Sequence, residues 1–498
     1  MSPRAERAPA SGPGGIRLRQ VRSRESQVAT TVAMPLWLAV ILGVLAAIAL
    51  IDRVFAPALR WWLRRRVNRA IEELNRRLKL TIPPFKLARR RQLIEQLMFD
   101  PEVLKAVDNE AIARGEPKSL THARARRYAR EIVPAFSAYA YFHVGTALAK
   151  WLSTTLYRVR IGVFEEAELY RVPPDAAVVF VINHRSNMDY ALVTALLSQS
   201  SVLSYAVGEW GRVMVLQSLI RAMGSYFVRR ESSSAMYRKV LARYVQMAIA
   251  SGVTQAVFPE GGLACDGKLR PPKLGLLSYM VAGFDPNSSR DIVFVPVGIN
   301  YDHVLEDELL TAAASKPAAE WPHFSVPPLV LTRWVGNELW QRIRGTWERY
   351  GYACVGFGHP LSLRDYLGQR SIDLRALPEE QRFAEIARLG QCLMRKVGHV
   401  VPALPVPLVS TALLAAGEAG LSDLQLDDAV RNLMRRLKSV GAYVLIPSHG
   451  QQVGNVGLRM LMQRQLVTGE AGIYRLNRGA SALLAFYANS IAHLLAGG

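Results

Sequence analysis

Five short apolar runs constrain this chain more than anything else in it: AAVVFVI (Ala176–Ile182), VLSYAV (Val202–Val207), TQAVFP (Thr254–Pro259), DIVFVPVGINY (Asp291–Tyr301) and YACVGFG (Tyr352–Gly358). They lack the in–out alternation of half-exposed strands, so they read as strands covered on both faces. Helical stretches separate them, and strands that alternate with helices build an α/β layer around a mixed, mostly parallel sheet. That layer is expected over residues 158–361. Pro296 interrupts the fourth run and predicts a bulge or an edge position there.

The flanks read differently. Residues 1–33 are rich in Arg, Ser, Pro and Gly without apolar periodicity, the signature of a disordered basic arm. From Met34 to Ile51 no charge occurs; as a helix this stretch reaches roughly 27 Å, close to the roughly 30 Å hydrocarbon core of a bilayer. The long basic stretch before it and the lack of an A-x-A site set it apart from a signal peptide. ALRWWLRRRVNR (Ala58–Arg69) follows, with Trp61 and Trp62 beside clustered arginines, as at a water–lipid interface. Residues 34–69 are therefore expected to anchor the chain. Over 70–157 apolar residues recur at three- and four-residue intervals, with a stop at Gly115, which predicts a helical domain. After about Ser362 the helical pattern returns and gives a C-terminal helical domain, 362–498.

The first strand ends in a polar seam, NHRSNMDY (Asn183–Tyr190), before a helix expected near Met188. Ser186 or Asn187 suits the N-cap and Asp189 the first turn. A turn there folds the His184 imidazole back on the Asp189 carboxylate, which fixes the tautomer and stabilises the imidazolium formed on proton uptake. No Ser or Cys nucleophile accompanies the pair, so the proton must come from a substrate hydroxyl. Among the other histidines only His303 has an acid five residues on, Glu308. GSYFVRR (Gly224–Arg230) ends in Arg229 and Arg230, whose forks match phosphate oxygens; if extended, the two point to opposite faces. FPEGGLACDGKLRPPKLGLL (Phe258–Leu277) places Glu260, Gly261 and Gly262 at a strand end. The glycines allow close backbone approach and N–H donation to an anion, and Lys268, Arg270 and Lys273 add positive charge.

These blocks, with VPVGINYDHV (Val295–Val304), resemble in order those of the glycerophosphate acyltransferase superfamily, and most closely the membrane-bound bacterial glycerol-3-phosphate 1-O-acyltransferases. FDPEVLKAV, ARRYAREIVPAFS, VGFGHPLSL and the terminal FYANSIAHLL extend the likeness. The resemblance implies that family's α/β fold and acyl transfer from acyl-CoA or acyl carrier protein to the sn-1 hydroxyl of glycerol 3-phosphate, giving lysophosphatidic acid. It implies His184 as general base and Asp189 as its orienter. Arg229 and Arg230 would bind the phosphate, Glu260 and Gly261 would form the acceptor site, and Lys273 would assist. Arg185, Gly262 and Lys268 join the substrate-binding set. Neither a metal nor a prosthetic group is implied, because the thioester is already activated. Where the family often has Arg-Ser-Arg after Glu-Gly-Gly, this chain has Leu263, Ala264 and Cys265, with Lys268 and Arg270 nearby as substitutes. Dihydroxyacetone phosphate and lysophosphatidate are the alternative acceptors for the same chemistry.

Charge narrows the partners. With 62 Lys and Arg against 40 Asp and Glu, the formal net charge is +22, which suits anions: phosphorylated substrates, coenzyme A, acyl carrier protein and anionic membrane lipids. A non-catalytic basic membrane-surface protein is the rival reading; nucleic acid is not expected, since neither zinc-ligand spacing nor an RNA-binding aromatic signature occurs. Three unpaired cysteines, Cys265, Cys354 and Cys392, indicate reduced thiols. With the anchor and the resemblance to bacterial enzymes, the catalytic domain is expected on the cytoplasmic side of a bacterial inner membrane.

Overall fold

The computed structural model describes residues 82–164, 172–198, 201–208, 214–229, 234–287, 290–314, 349–447 and 451–496. The basic arm, the apolar run 34–51, the Trp61–Trp62 segment and Arg230 lie outside them. No described helix is long and apolar enough to cross a membrane.

The chain enters through helices α1 (Arg90–Met98), α2 (Pro101–Arg114) and α3 (Lys118–Ile132). Asp100 caps α2 by accepting from the backbone N–H groups of Glu102 and Val103, and Gly115 ends it in the left-handed region at φ 62°. The helical pattern expected to run on from Ser119 breaks at Val133, which is extended ahead of Pro134 as its steric clash requires. Helix α4 (Thr146–Leu156) resumes after a π-helical turn, Ala140–Gly145.

The sheet follows: β1 (Arg158–Ile161), β2 (Ala177–Ile182), β3 (Ser204–Val207), β4 (Tyr226–Phe227), β5 (Gln255–Val257), β6 (Ile292–Tyr301), β7 (Tyr352–Phe357) and β8 (Leu361–Ser362). Its order is β1-β7-β6-β2-β5-β3-β4, with β8 also beside β6. Only the β6–β7 and β6–β8 pairings are antiparallel, so the mixed, mostly parallel sheet is as expected. Every β2 residue is buried because both faces are covered. Val178, Phe180 and Ile182 face a core that includes α5 (Met188–Leu197), α12 (Pro405–Ala416) and α15 (Ser481–Leu495). Ala177, Val179 and Val181 face the opposite core, formed with α1–α3, α7 (Ala235–Ala250), α8 (Leu274–Val281) and α11 (Glu379–His399).

Pro296 lies in an interior strand rather than at an edge, and opposite a bulge as expected: the pairs Phe294↔Leu361 and Val297↔Phe357 leave three partner residues, 358–360, facing Val295 and Pro296. On one side β6 pairs with β8 at Val293–Phe294 and with β7 from Val297 onward, and Pro296 falls where the partner changes. There its carbonyl accepts from Gly358 and no partner requires the N–H it lacks. Beyond the helices, the C-terminal region holds an unexpected three-stranded sheet, Leu421–Ser422, Val467–Glu470 and Ile473–Leu476. Its hairpin turns through Ala471 and Gly472, both at positive φ.

Candidate active site

The seam after β2 is built almost entirely on carboxylates. Asn183 first extends the ladder with its side chain: Nδ2 donates to the Ile299 carbonyl at 2.9 Å and Oδ1 accepts from the Ile299 N–H at 2.7 Å. The His184 N–H then donates to Glu260 Oε1 at 2.9 Å, and those of Arg185 and Ser186 to Asp189 Oδ2 at 2.7 and 3.1 Å. Asn187 N–H donates to Glu306 Oε1 at 3.2 Å, and Ser186 Oγ donates to Glu306 Oε2 at 2.7 Å. Helix α5 begins at Met188 as expected, with Asp189 in its first turn.

His184 Nδ1 lies 2.9 Å from Asp189 Oδ2, in a pair that is 2% and 0% exposed. Asp189 Oδ1 accepts from the Tyr301 hydroxyl at 2.7 Å. The imidazole stacks on Phe258, centroid to centroid 4.2 Å, with Tyr190 edge-on. With Nδ1 held by the carboxylate, Nε2 is the nitrogen left for a substrate hydroxyl.

That imidazole lines a cavity of about 340 Å³, whose walls include Val228, Leu241, Val257, Phe258, Leu277 and Leu393. Arg229, Gly261 and Lys273 line the same cavity. The glycine seats the lysine: Gly261 has φ +69°, and a Cβ there would stand 2.6 Å from Lys273 Cδ. Arg229 is clamped. Its Nε and Nη2 donate to the two oxygens of Glu131 at 2.8 and 2.5 Å, and its guanidinium packs over Tyr128 and Tyr237. The carboxylate raises the Arg229 pKa further.

Other expected residues take different places. Glu260 does not line the cavity; it bridges the His184 and Arg270 N–H groups, and burial at 1% exposure pushes its pKa up to about 7 against those bonds and the nearby Arg185 and Arg270. Gly261 spends its N–H on the Phe258 carbonyl, within the turn, so that donor does not serve an anion. Gly262 is buried outside the cavity lining. Arg185 turns away from the cavity, donates to the Gly267 carbonyl and lies 5.3 Å over the Phe486 ring of α15. Burial lowers its pKa, with Glu260 and Asp189 opposing. Lys268 is exposed and outside the lining, and Leu263, Ala264 and Cys265 are buried. Sequence reasoning missed Tyr301, Glu306 and Glu131, although Tyr301 lies in VPVGINYDHV and Glu131 in ARRYAREIVPAFS.

The similarity to known proteins divides along the same lines. Residues 164–300, which hold β2 to β6 and the His–Asp seam, match the acyltransferase family profile. Residues 339–497 match the glycerol-3-phosphate acyltransferase C-terminal region. The chain is 27% identical over 440 residues to a glycerol-3-phosphate acyltransferase of Pseudomonas putida (strain W619), covering 84% of this chain and 51% of that protein. A second, from Pseudomonas aeruginosa (strain UCBPP-PA14), is 27% identical over 449 residues, covering 87% and 52%. The chain thus spans about half the length of the curated relatives it matches. Among solved structures, the 1-acyl-sn-glycerophosphate acyltransferase PlsC of Thermotoga maritima aligns with TM-score 0.30 and 16% identity, over 62% of this chain and 97% of that one.

Proposed function

We propose that this protein transfers a fatty acyl group from a thioester, acyl-CoA or acyl-ACP, to the sn-1 hydroxyl of glycerol 3-phosphate, giving lysophosphatidic acid in the first step of glycerophospholipid synthesis. The observation that carries the reading is a buried His184, oriented through Nδ1 by Asp189, on the wall of a largely apolar cavity that also holds Arg229 and Lys273. His184 Nε2 takes the hydroxyl proton as the oxygen attacks the thioester carbonyl. The tetrahedral adduct collapses with cleavage of the C–S bond, and the leaving thiolate receives the proton from the imidazolium. Attack is direct, without an acyl-enzyme, and no metal or prosthetic group takes part. Arg229 and Lys273 hold the acceptor's phosphate, and the apolar walls take the acyl chain next to the thioester. The reading places the protein on the cytoplasmic side of a bacterial inner membrane, held by residues 34–69 and by its positive charge on anionic lipid.

The test is an assay of the full chain in membranes with a long-chain acyl-CoA and the corresponding acyl-ACP. Glycerol 3-phosphate, dihydroxyacetone phosphate and lysophosphatidate are offered separately, with His184→Ala as control. Turnover on glycerol 3-phosphate that the variant loses is expected. Preference for another acceptor refutes the substrate assignment, and no transfer from either thioester, or transfer that survives the variant, refutes the mechanism.

A further inference from the structure

Beyond the catalytic cavity, two more recesses flank α11. One, of about 600 Å³, is lined by Arg270, Arg395, His399 and His493 among others. The second, of about 460 Å³, shares Arg395 and His399 and adds Lys396 and His359. No carboxylate lines either one. Other arginines of the fold answer to acids: Arg229 to Glu131, Arg243 to Asp100, Arg388 to Glu385, Arg464 to Asp307. Arg395 and Lys396 have no ion pair among the described residues. His493 donates through Nε2–H to the Gly398 carbonyl, and its Nδ1 is buried without a partner. Arg395, exposed, and Lys396, half-buried, thus put two positive charges without an acidic partner on the walls of these recesses, which suits an anion.

Position says which anion. Pro272 lines the larger basic recess, and the next residue, Lys273, lines the catalytic cavity. On α11, Gly390 and Leu393 face the catalytic cavity while Gln391, Met394 and Arg395 face the basic one. The Arg270 N–H donates to Glu260, whose other oxygen holds the His184 N–H. The basic recesses therefore lie one loop strand and one helix face from the reacting centre. Each falls within the roughly 300–1,000 Å³ of small-molecule pockets. Concave sites of that size suit a nucleotide, whereas an acidic carrier protein requires a broad exposed patch.

We infer that the joined basic recesses on α11 hold the phosphate-bearing nucleotide end of a coenzyme A thioester, whose pantetheine arm passes the Arg270–Lys273 loop to reach His184. The inference rests on the acyl-transfer reading for its donor, but its site can be tested alone. The probe is adenosine 3′,5′-bisphosphate, titrated calorimetrically into the full chain in detergent. Saturable binding is expected, at least tenfold weaker in Arg395→Glu/Lys396→Glu, with Arg395→Gln/Lys396→Gln as the milder pair and melting temperature as the folding check. In turnover, the charge-reversed pair raises KM for acyl-CoA at least tenfold, and KM for glycerol 3-phosphate moves less than twofold. No saturable binding, or equal binding by wild type and both variants, overturns the site. So does a result in which anionic phosphatidylglycerol vesicles lose affinity for the variants while the bisphosphate binds none of the proteins, since the recess then serves lipid headgroups. Bisphosphate binding that depends on Arg395 and Lys396 without acyl transfer leaves the site standing and removes the proposed reaction. Transfer from acyl-CoA with a KM indifferent to the substitutions does the reverse.

Discussion

Asp189→Asn separates what the carboxylate does by geometry from what it does by charge. Oδ2 accepts from His184 Nδ1 and from the backbone N–H groups of Arg185 and Ser186, while Oδ1 accepts only from the Tyr301 hydroxyl among the described residues. The two backbone donors cannot rotate, so the asparagine amide must present its oxygen to them and its NH₂ to Tyr301. The Tyr301 hydroxyl can turn to accept. His184 then keeps its Nδ1–H···O bond and its tautomer, and what disappears is the negative charge opposite the imidazolium. At about 4 Å and an effective dielectric constant of about 20 that charge is worth about 4 kcal/mol, or roughly 10³-fold in rate. A kcat lowered by about 10³, with KM for the acceptor nearly constant and the melting temperature within a few degrees of wild type, is expected in steady-state thioester assays. A loss below tenfold would refute the charge argument. A loss as complete as that of His184→Ala would show that the amide had flipped and the tautomer had been lost.

Tyr301→Phe leaves Asp189 Oδ1 buried without its 2.7 Å donor, so denaturant titration should show a loss of about 1–3 kcal/mol, and kcat should fall about tenfold. Unchanged stability would mean that water replaces the hydroxyl. Glu131→Ala removes both bonds that hold the Arg229 fork, so KM for glycerol 3-phosphate should rise about 5–30-fold, about 1–2 kcal/mol, with kcat little changed. Glu131→Asp should recover part of it, and a KM that falls instead would show that Glu131 competes with the phosphate. Glu260 has its usual pKa of 4.5 raised to about 7 by burial, so between those values the folded chain holds a proton the unfolded chain has lost. Stability must then fall as pH rises through that window, by about 3 kcal/mol, and level off above it. The difference in Tm between wild type and Glu260→Gln should trace that slope from pH 4.5 to 7; parallel curves would reject it.

The five strands could be read because each is a run buried on both faces, and burial is written in composition. The edge strand Arg158–Ile161 could not, since its exposed Arg–Val–Arg–Ile pattern continues from a helix without a break in polarity. Pro296 signalled a bulge and one stands there, although only the registers of β7 and β8 show that the extra residue is on the partner side. In the site, His184, Asp189, Arg229, Gly261 and Lys273 were legible because each sits in a contiguous block at a strand end. Roles that depend on side-chain direction were not. Arg185 and Glu260 lie in the same blocks, yet one turns toward Phe486 and the other spends both oxygens on backbone N–H groups. Tyr301 and Glu306 reach the seam across 112 and 120 residues, a separation at which spacing carries no signal.

Those distant carboxylates explain why an irregular loop can hold a base to catalytic tolerance. From His184 to Asn187, each successive backbone N–H donates to a buried side-chain carboxylate, the four donors sharing Glu260, Asp189 and Glu306 instead of backbone carbonyls of a helix or ladder. Two acceptors come from outside the seam: Glu260, at the end of β5, and Glu306, beyond the end of β6. Strands β5 and β6 flank β2 in the sheet, so the loop is bolted to both of its neighbours. The carboxylate negative charge is set against the buried Arg185 guanidinium, whose field lowers the Glu260 pKa while burial raises it. Within such an arrangement the sequence blocks are not independent contributors to a substrate pocket. Glu260 and Glu306 act on the reaction through the backbone of His184 and Asn187, so their loss should displace the imidazole from Asp189 rather than remove a contact to the acceptor. Replacing Glu306 by Gln keeps one acceptor oxygen for three neighbouring donors, Ser186 Oγ and the backbone N–H and side-chain Nδ2 of Asn187. It should therefore lower kcat about 10- to 100-fold with little change in the acceptor's KM, by analogy with a misplaced base. A KM effect with kcat intact would place Glu306 on the substrate and remove this account of the loop.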